Sequence, residues 1–319
     1  MLHIFVNLKR FEVSRKLGGV CSEESPKEWI EWVISESVRQ NLGSMDNVEL
    51  VFLMPETLII PAVAKLSGYE GPQTRGLSIG CQGVYREDIR QGGNFGAFTT
   101  NRPAAAAKAS GCRWALIGHS EERKDKLGII EEFLAACPQC VPDPGAASDA
   151  VSRVINNEAL RALEAGLDIL VCVGESAEER GAGDFDNQQQ RVKMVLKRQL
   201  DLALRDTKNF LSSRRIVIGY EPIWAIGPGK MPPRPDYITF VTSYIKEAMR
   251  ELFGFQPPVV YGGGLKEENA AAICSIATVD GGLVALTRFT GEIGFYPADL
   301  PKIIAAALSC SGTQTAQGK

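Results

Sequence analysis

No stretch of the 319 residues approaches the roughly 20 consecutive apolar positions that a membrane-spanning helix needs, so no membrane association is expected. An excess of one charge is also missing. Thirty-five basic residues stand against 38 acidic ones, a net charge of −3, which leaves no electrostatic case for nucleic acid or an anionic membrane surface. Histidine is scarce, with only His3 and His119. Six of the eight cysteines (Cys21, Cys81, Cys112, Cys172, Cys274 and Cys310) stand alone, and only Cys137-Pro138-Gln139-Cys140 has CxxC spacing. One such pair with two histidines is a poor zinc signal, and no metal site is expected. The amino-terminal run Met1–Asn7 lacks the basic region and cleavage site of a secretory signal and reads as a strand. The expectation is a cytoplasmic protein with reduced thiols. Internal repeats and low-complexity runs are absent, so a single domain over residues 1–319 is expected.

What is present is ordinary globular material, 45% apolar and 23% charged. Short apolar, β-branched runs recur at His3–Asn7, Val48–Met54, Leu77–Gln82, Trp114–Gly118, Asp168–Gly174, Ile216–Tyr220, Pro258–Tyr261 and Gly282–Leu286. All read as apolar on both faces, as covered parallel strands should be. Helical patterns fill the gaps. Ser25-Pro26-Lys27-Glu28 gives an N-cap with proline at the first helical position, followed by Trp29, Ile30, Val33 and Ile34 at helical spacing. Further helices are expected over Val151–Ala165, Asn187–Leu204, Tyr237–Leu252 and Pro297–Leu308. Eight strands alternating with helices predict an α/β fold, a (β/α)8 barrel of eight parallel strands with outer helices. Residues 124–149 and the glycine-rich Gln91–Gly96 look inserted, and the small polar tail Ser309–Lys319 is expected to fray.

The chain is organised around Tyr220-Glu221-Pro222-Ile223-Trp224-Ala225-Ile226-Gly227-Pro228-Gly229-Lys230. Glu221 stands at the end of the sixth strand, Pro222 stops the ladder, and an apolar segment ending in Gly-Pro-Gly follows. This is a carboxylate on a rigid strand followed by a stiff segment able to swing as a lid. An exposed Trp224-Ala225-Ile226 is unusual for a loop without a use. Barrel active sites lie at the carboxyl ends of the strands. Those exits deliver Asn7 and Lys9 from strand one, His119 from strand four, Glu221 from strand six and Gly262-Gly263-Gly264 from strand seven. A carboxylate can take a proton from carbon beside a carbonyl, a neutral histidine can donate to the carbonyl oxygen, and a lysine can offset the enediolate charge. Glycine-rich exits can turn backbone N–H groups toward a phosphate. Each residue alone has a plainer reading: a surface glutamate, a turn histidine, a solvated lysine, glycines that only make turns.

In combination the motifs resemble the triosephosphate isomerase family. Val6-Asn7-Leu8-Lys9, Gly96-Ala97-Phe98-Thr99, Ile117-Gly118-His119-Ser120-Glu121, Cys172-Val173-Gly174-Glu175, Tyr220–Lys230 and Tyr261-Gly262-Gly263 each match its pattern, in its order, from about Ile4 to about Ile304. The resemblance implies Glu221 as base, His119 as neutral electrophile, Lys9 and Asn7 as substrate ligands, and residues 222–230 as lid. It also implies a phosphate contact from Gly227, support from Glu121 and from Glu175 through Trp224, and no metal or organic cofactor. Thr99 of the Gly96–Thr99 loop would reach a second subunit, giving a homodimer.

Departures from the family concentrate at the phosphate end. The usual serine is Gly264, the usual Gly-Gly after strand eight is Ala285-Leu286, and the usual lid threonine is Pro228. Leu8 replaces a tryptophan, Thr100-Asn101 follow the dimer loop, and Met231-Pro232-Pro233 stiffen the lid's exit. Arg288, two residues after Leu286, offers a guanidinium that can bind phosphate in a bidentate way. The expectation is therefore an aldose–ketose isomerase for a triose phosphate or a four-carbon ketose phosphate such as an erythrulose phosphate. The rival is a non-catalytic sugar-phosphate-binding or assembly protein on the same scaffold.

Overall fold

The computed structural model describes residues 1–137, 139, 143–227 and 229–309. Cys140 of the CxxC pair, Pro228 of the lid and the tail beyond Ser309 lie outside the described residues. Eight parallel strands close into a barrel in sequence order: β1 (Leu2–Asn7), β2 (Val48–Met54), β3 (Leu77–Cys81), β4 (Trp114–Ile117), β5 (Asp168–Val173), β6 (Ile216–Tyr220), β7 (Val259–Tyr261) and β8 (Gly281–Val284). Closure runs through β8 and β1, with Gly282 opposite Ile4 and Leu283 opposite Phe5.

The period-2 alternation of the strands builds two cores. Phe5, Trp114, Leu116, Leu170, Val217 and Val260 are among the residues that fill the barrel interior, where Phe5 meets Trp114 edge to face at 5.1 Å. Ile4 and Val6, on the other face of β1, belong to the layer between strands and helices, with Trp29, Ile30, Val33 and Ile34. Those four sit on the helix Pro26–Arg39, whose N-cap Ser25 accepts the Glu28 N–H as the sequence predicts. Each such side chain contributes roughly 1.5–3 kcal/mol by leaving water. Among the described residues no helix is long and apolar enough to cross a membrane.

Two expectations need correction. The strands are not apolar throughout. His3, Glu49 and Asp168 are buried at their amino ends, where Glu49 accepts two bonds from Arg215 at 3.0 and 2.7 Å, and Asp168 accepts from Arg215 Nε at 3.0 Å. The Arg215 guanidinium sits 4.7 Å from the Trp114 ring centre. A helix boundary also moves, within the segment read as inserted at 124–149. A helix runs over Ser120–Ala136, and the next begins at Pro144, earlier than the expected Val151, because Asp143 caps the N–H groups of Gly145 and Ala146.

Candidate active site

The carboxyl ends of β1, β4 and β6 converge. Glu221 follows β6 directly and is 3% exposed, yet among the described residues no lysine or arginine stands within ion-pair distance of it. Ser120 donates to it twice, from its N–H (2.8 Å) and its hydroxyl (3.1 Å), and His119 Nε2 stands 3.2 Å from Oε1. The Cys172 thiol lies beneath; burial and the adjacent carboxylate push it well up, so it stays an uncharged neighbour. Glu221 can sit here only because two glycines let the chain close in. A Cβ on Gly174 would fall 1.8 Å from the Glu221 carbonyl oxygen, and one on Gly262 2.8 Å from Glu221 Cγ.

His119 is the N-cap of the helix Ser120–Ala136, and its Nδ1 accepts the Glu121 N–H at 3.3 Å. A ring nitrogen that accepts carries no proton, so the neutral tautomer holds its hydrogen on Nε2, facing Glu221. Lys9 Nζ reaches Glu121 Oε1 at 2.6 Å. Its backbone lies in the left-handed region, φ 43°, unusual for a lysine, in a turn where Asn7 Oδ1 accepts the Lys9 N–H at 3.1 Å. The structure thus brings Asn7, Lys9, Glu121, His119 and Glu221 to one end of the barrel.

Three supporting residues were missed by sequence reasoning. Gln82 donates to Asn7 Oδ1 and to the Lys9 carbonyl, both at 3.0 Å, and so fixes that turn. Ser120 positions the base. Half-buried Arg123 donates to the carbonyls of Gly118 (2.9 Å) and Cys172 (3.0 Å), tying the exits of β4 and β5 together. Gln82 stands one residue beyond the end of β3 and Ser120 three beyond the end of β4, the one signal that marked them.

The root of the proposed lid is anchored. Glu175, fully buried, accepts on Oε1 from Trp224 Nε1 (2.8 Å), Tyr220 OH (3.0 Å) and Tyr237 OH (2.7 Å). Burial pushes its carboxyl up, with the three donors pulling the other way. Arg180 stacks on Trp224 at 3.9 Å. Trp224-Ala225-Ile226 is therefore less exposed than expected: Ala225 is buried, Trp224 half-buried, and only Ile226 is exposed. Pro222 and Ile223 sit at the start of this segment, with a 3-10 turn over Ile223–Ala225, and Gly227, Gly229 and Lys230 are exposed beyond it. Gly227, at φ 123°, has open space around it.

At the other side, Gly264 (φ 90°) has an open approach, and its carbonyl accepts from Asn269 at 3.0 Å. Ala285 and Leu286 are half-buried and lead into a hairpin in which Arg288 and Gly294 pair. The Arg288 guanidinium is engaged by Asp299 at 2.9 and 3.2 Å and lies over the Tyr296 ring at 3.9 Å. Lys266 lies over Phe289 at 3.8 Å across a small cleft of about 180 Å³. Thr99 is exposed on the loop after β3, whose tip Phe95 is 86% exposed. Among the described residues no group of three His, Cys, Asp or Glu side chains is placed to hold a metal ion.

A closed parallel barrel of eight strands, with a buried carboxylate set against an imidazole at the strand exits, defines the class as a (β/α)8-barrel protein. Comparison with known proteins narrows the class. The triosephosphate isomerase family model matches residues 30–292, and the chain belongs to that family. It is similar to the triosephosphate isomerase of Lawsonia intracellularis, 32% identical over 265 residues, covering 80% of this chain and 90% of that one. The triosephosphate isomerase of Bordetella pertussis is 36% identical over 197 residues, covering 62% of this chain and 66% of that relative. The crystal structure of triosephosphate isomerase from Bartonella henselae superposes with a TM-score of 0.63 over 96% of this chain and 98% of that one, at 24% identity, a likeness of fold.

Proposed function

We propose that this protein is an aldose–ketose isomerase that interconverts a small phosphorylated ketose and aldose through an enediolate. Glu221 removes the proton from the carbon beside the carbonyl and returns it to the neighbouring carbon. Neutral His119 donates from Nε2 to the carbonyl oxygen. Lys9, with Asn7, offsets the charge that develops. The observation that carries this reading is the pairing of Glu221 with a histidine whose Nδ1 is already committed to a helix N–H. That arrangement supplies a base and a neutral hydrogen-bond donor within one proton's reach. The residues present can do this without a cofactor, since the proton only moves between adjacent carbons.

The reading extends to the substrate's other end. Backbone N–H groups near Gly227, Gly264, Ala285 and Leu286 receive the phosphate as the lid segment 222–230 closes. Arg288 joins them when it exchanges Asp299 for phosphate. The hairpin after β8, in place of a paired glycine, favours a substrate related to but longer than a triose phosphate, a four-carbon ketose phosphate. Triose phosphate itself is the second reading, supported by the family to which the chain belongs. The protein works as one domain and as a homodimer in which Thr99 of one copy supports Asn7 and Lys9 of the other.

The test supplies glyceraldehyde phosphate and erythrulose phosphates in deuterated water and follows label at the carbon beside the carbonyl. Exchange with one of them, abolished in Glu221→Gln, is the expected result. Absence of exchange with all of them sinks the isomerase reading and leaves a binding protein.

A further inference from the structure

At the barrel's other end, a surface pocket of about 390 Å³ opens between Lys108, Arg113, Gly166, Asp168, Arg214 and Arg215. Its volume falls in the range of small-molecule sites, about 300–1,000 Å³. Its lining is not that of an apolar ligand's site: four cations face one carboxylate. That carboxylate is already shared. Asp168 accepts from Arg215 N–H and Arg215 Nε, both at 3.0 Å, with Arg113 at 3.7 Å. Glu49, behind the pocket, is bound by Arg215. Lys108 donates to the Gly166 carbonyl at 2.9 Å, and Arg214 to the Ser213 carbonyl at 2.8 Å. Among the described residues neither has a carboxylate within ion-pair distance. Gly166 admits this crowding: at φ 85°, a Cβ there would stand 3.1 Å from an Arg214 nitrogen. β5 runs the length of the barrel from Asp168 to Val173, so about 17–20 Å separate this pocket from the Glu221 end.

We propose that this pocket is a second, non-catalytic site for a compact organic or inorganic phosphate carrying more than one negative charge. Arg113 and Arg214 supply planar forks suited to phosphate oxygens, Lys108 supplies a point charge, and Arg215, held by Glu49 and Asp168, forms the fixed floor. The surplus positive charge at one opening, with its donors turned to carbonyl oxygens, is what a polyanion would satisfy.

The probe is inorganic pyrophosphate, titrated calorimetrically into the wild-type protein and into Lys108→Ala/Arg214→Ala at about 0.05 M salt. The wild type is expected to bind it saturably, with affinity falling as salt rises. The double variant is expected to lose at least tenfold in affinity at this site while keeping its melting temperature and its rate of isotope exchange with sugar phosphate. Arg214→Lys, which keeps the charge and removes the fork, should fall between the two. No saturable binding to wild type, or equal affinity in wild type and double variant, overturns the proposal. So does a loss of binding that tracks Lys9→Ala instead, since that places pyrophosphate in the catalytic cleft. The result is independent of whether the isomerase reading stands.

Discussion

The two ends of the barrel treat buried carboxylates in opposite ways. At the amino end, Glu49 and Asp168 are tied to Arg215, and His3 Nδ1 lies 3.0 Å from Glu49. Burial alone would raise the Glu49 carboxyl, but the bonds from His3 and Arg215 outweigh it and hold it at about 2. At the carboxyl end, Glu221 is as deeply buried, but its contacts are a hydroxyl, an N–H, a thiol and an imidazole. A carboxylate locked to guanidinium stays ionised and inert. One that meets an N–H, a hydroxyl and an imidazole has no guanidinium locked against it. The same barrel thus carries a structural clamp at one end and, on the proposed reading, an acid–base pair at the other.

Breaking the reactive end should have the largest effect. Glu221→Gln keeps the shape and one acceptor for Ser120 but removes the base, and kcat should fall by about a thousandfold, roughly 4 kcal/mol of barrier. The melting temperature should hold or rise, because a buried unneutralised charge has gone. Near-normal turnover would strike Glu221 from the mechanism.

Breaking the clamp should cost stability with little change in turnover per folded molecule. A carboxyl depressed from 4.5 to about 2 by folding contributes stability that is complete above pH 4.5 and is lost as pH falls toward 2. The loss is on the order of 3 kcal/mol. Denaturant titrations between pH 6 and 2.5 should show this slope in wild type and a shallower one in Glu49→Gln. Equal slopes would mean that Glu49 is not the group responsible.

Smaller effects sharpen the comparison at the lid and the phosphate end. Trp224→Phe removes one donor to Glu175 and should lower kcat/KM several-fold, about 1 kcal/mol, through less precise lid placement. Arg288→Ala should raise KM more than it lowers kcat, with the larger rise for whichever sugar phosphate is the better substrate. An unchanged KM would confine Arg288 to its pair with Asp299.

Much of this was legible in residues alone. Val48–Met54 and Ile216–Tyr220 appear as strands over the very residues read as apolar runs, because continuous β-branched sequence bounded by turns has few other uses. The meeting of Glu221 and His119 was legible because both stand at strand exits, and barrel closure brings exits together. The amino-end clamp was not. His3, Glu49, Asp168 and Arg215 are far apart in sequence, and each looks like a solvated residue until the strands align them. The helix Ser120–Ala136 was obscured for a different reason. Leu127, Ile130 and Leu134 follow helical spacing, but Ile129 and Phe133 lie exposed on another face and blur the stripe. The Asp299 grip on Arg288 also had no local signal, since it joins a loop to a turn eleven residues on.

One hydrogen bond joins architecture to chemistry. The Glu121 N–H that His119 accepts is an unsatisfied donor of its helix's first turn, so the imidazole both starts that helix and receives its proton assignment from it. Any change that unwinds residues 120–123, however far its origin lies along the rod toward Ala136, takes that N–H away from Nδ1 and leaves the ring free to turn from Glu221. On the proposed reading, loosening this helix would then register as lower turnover before it registered as a lower melting point.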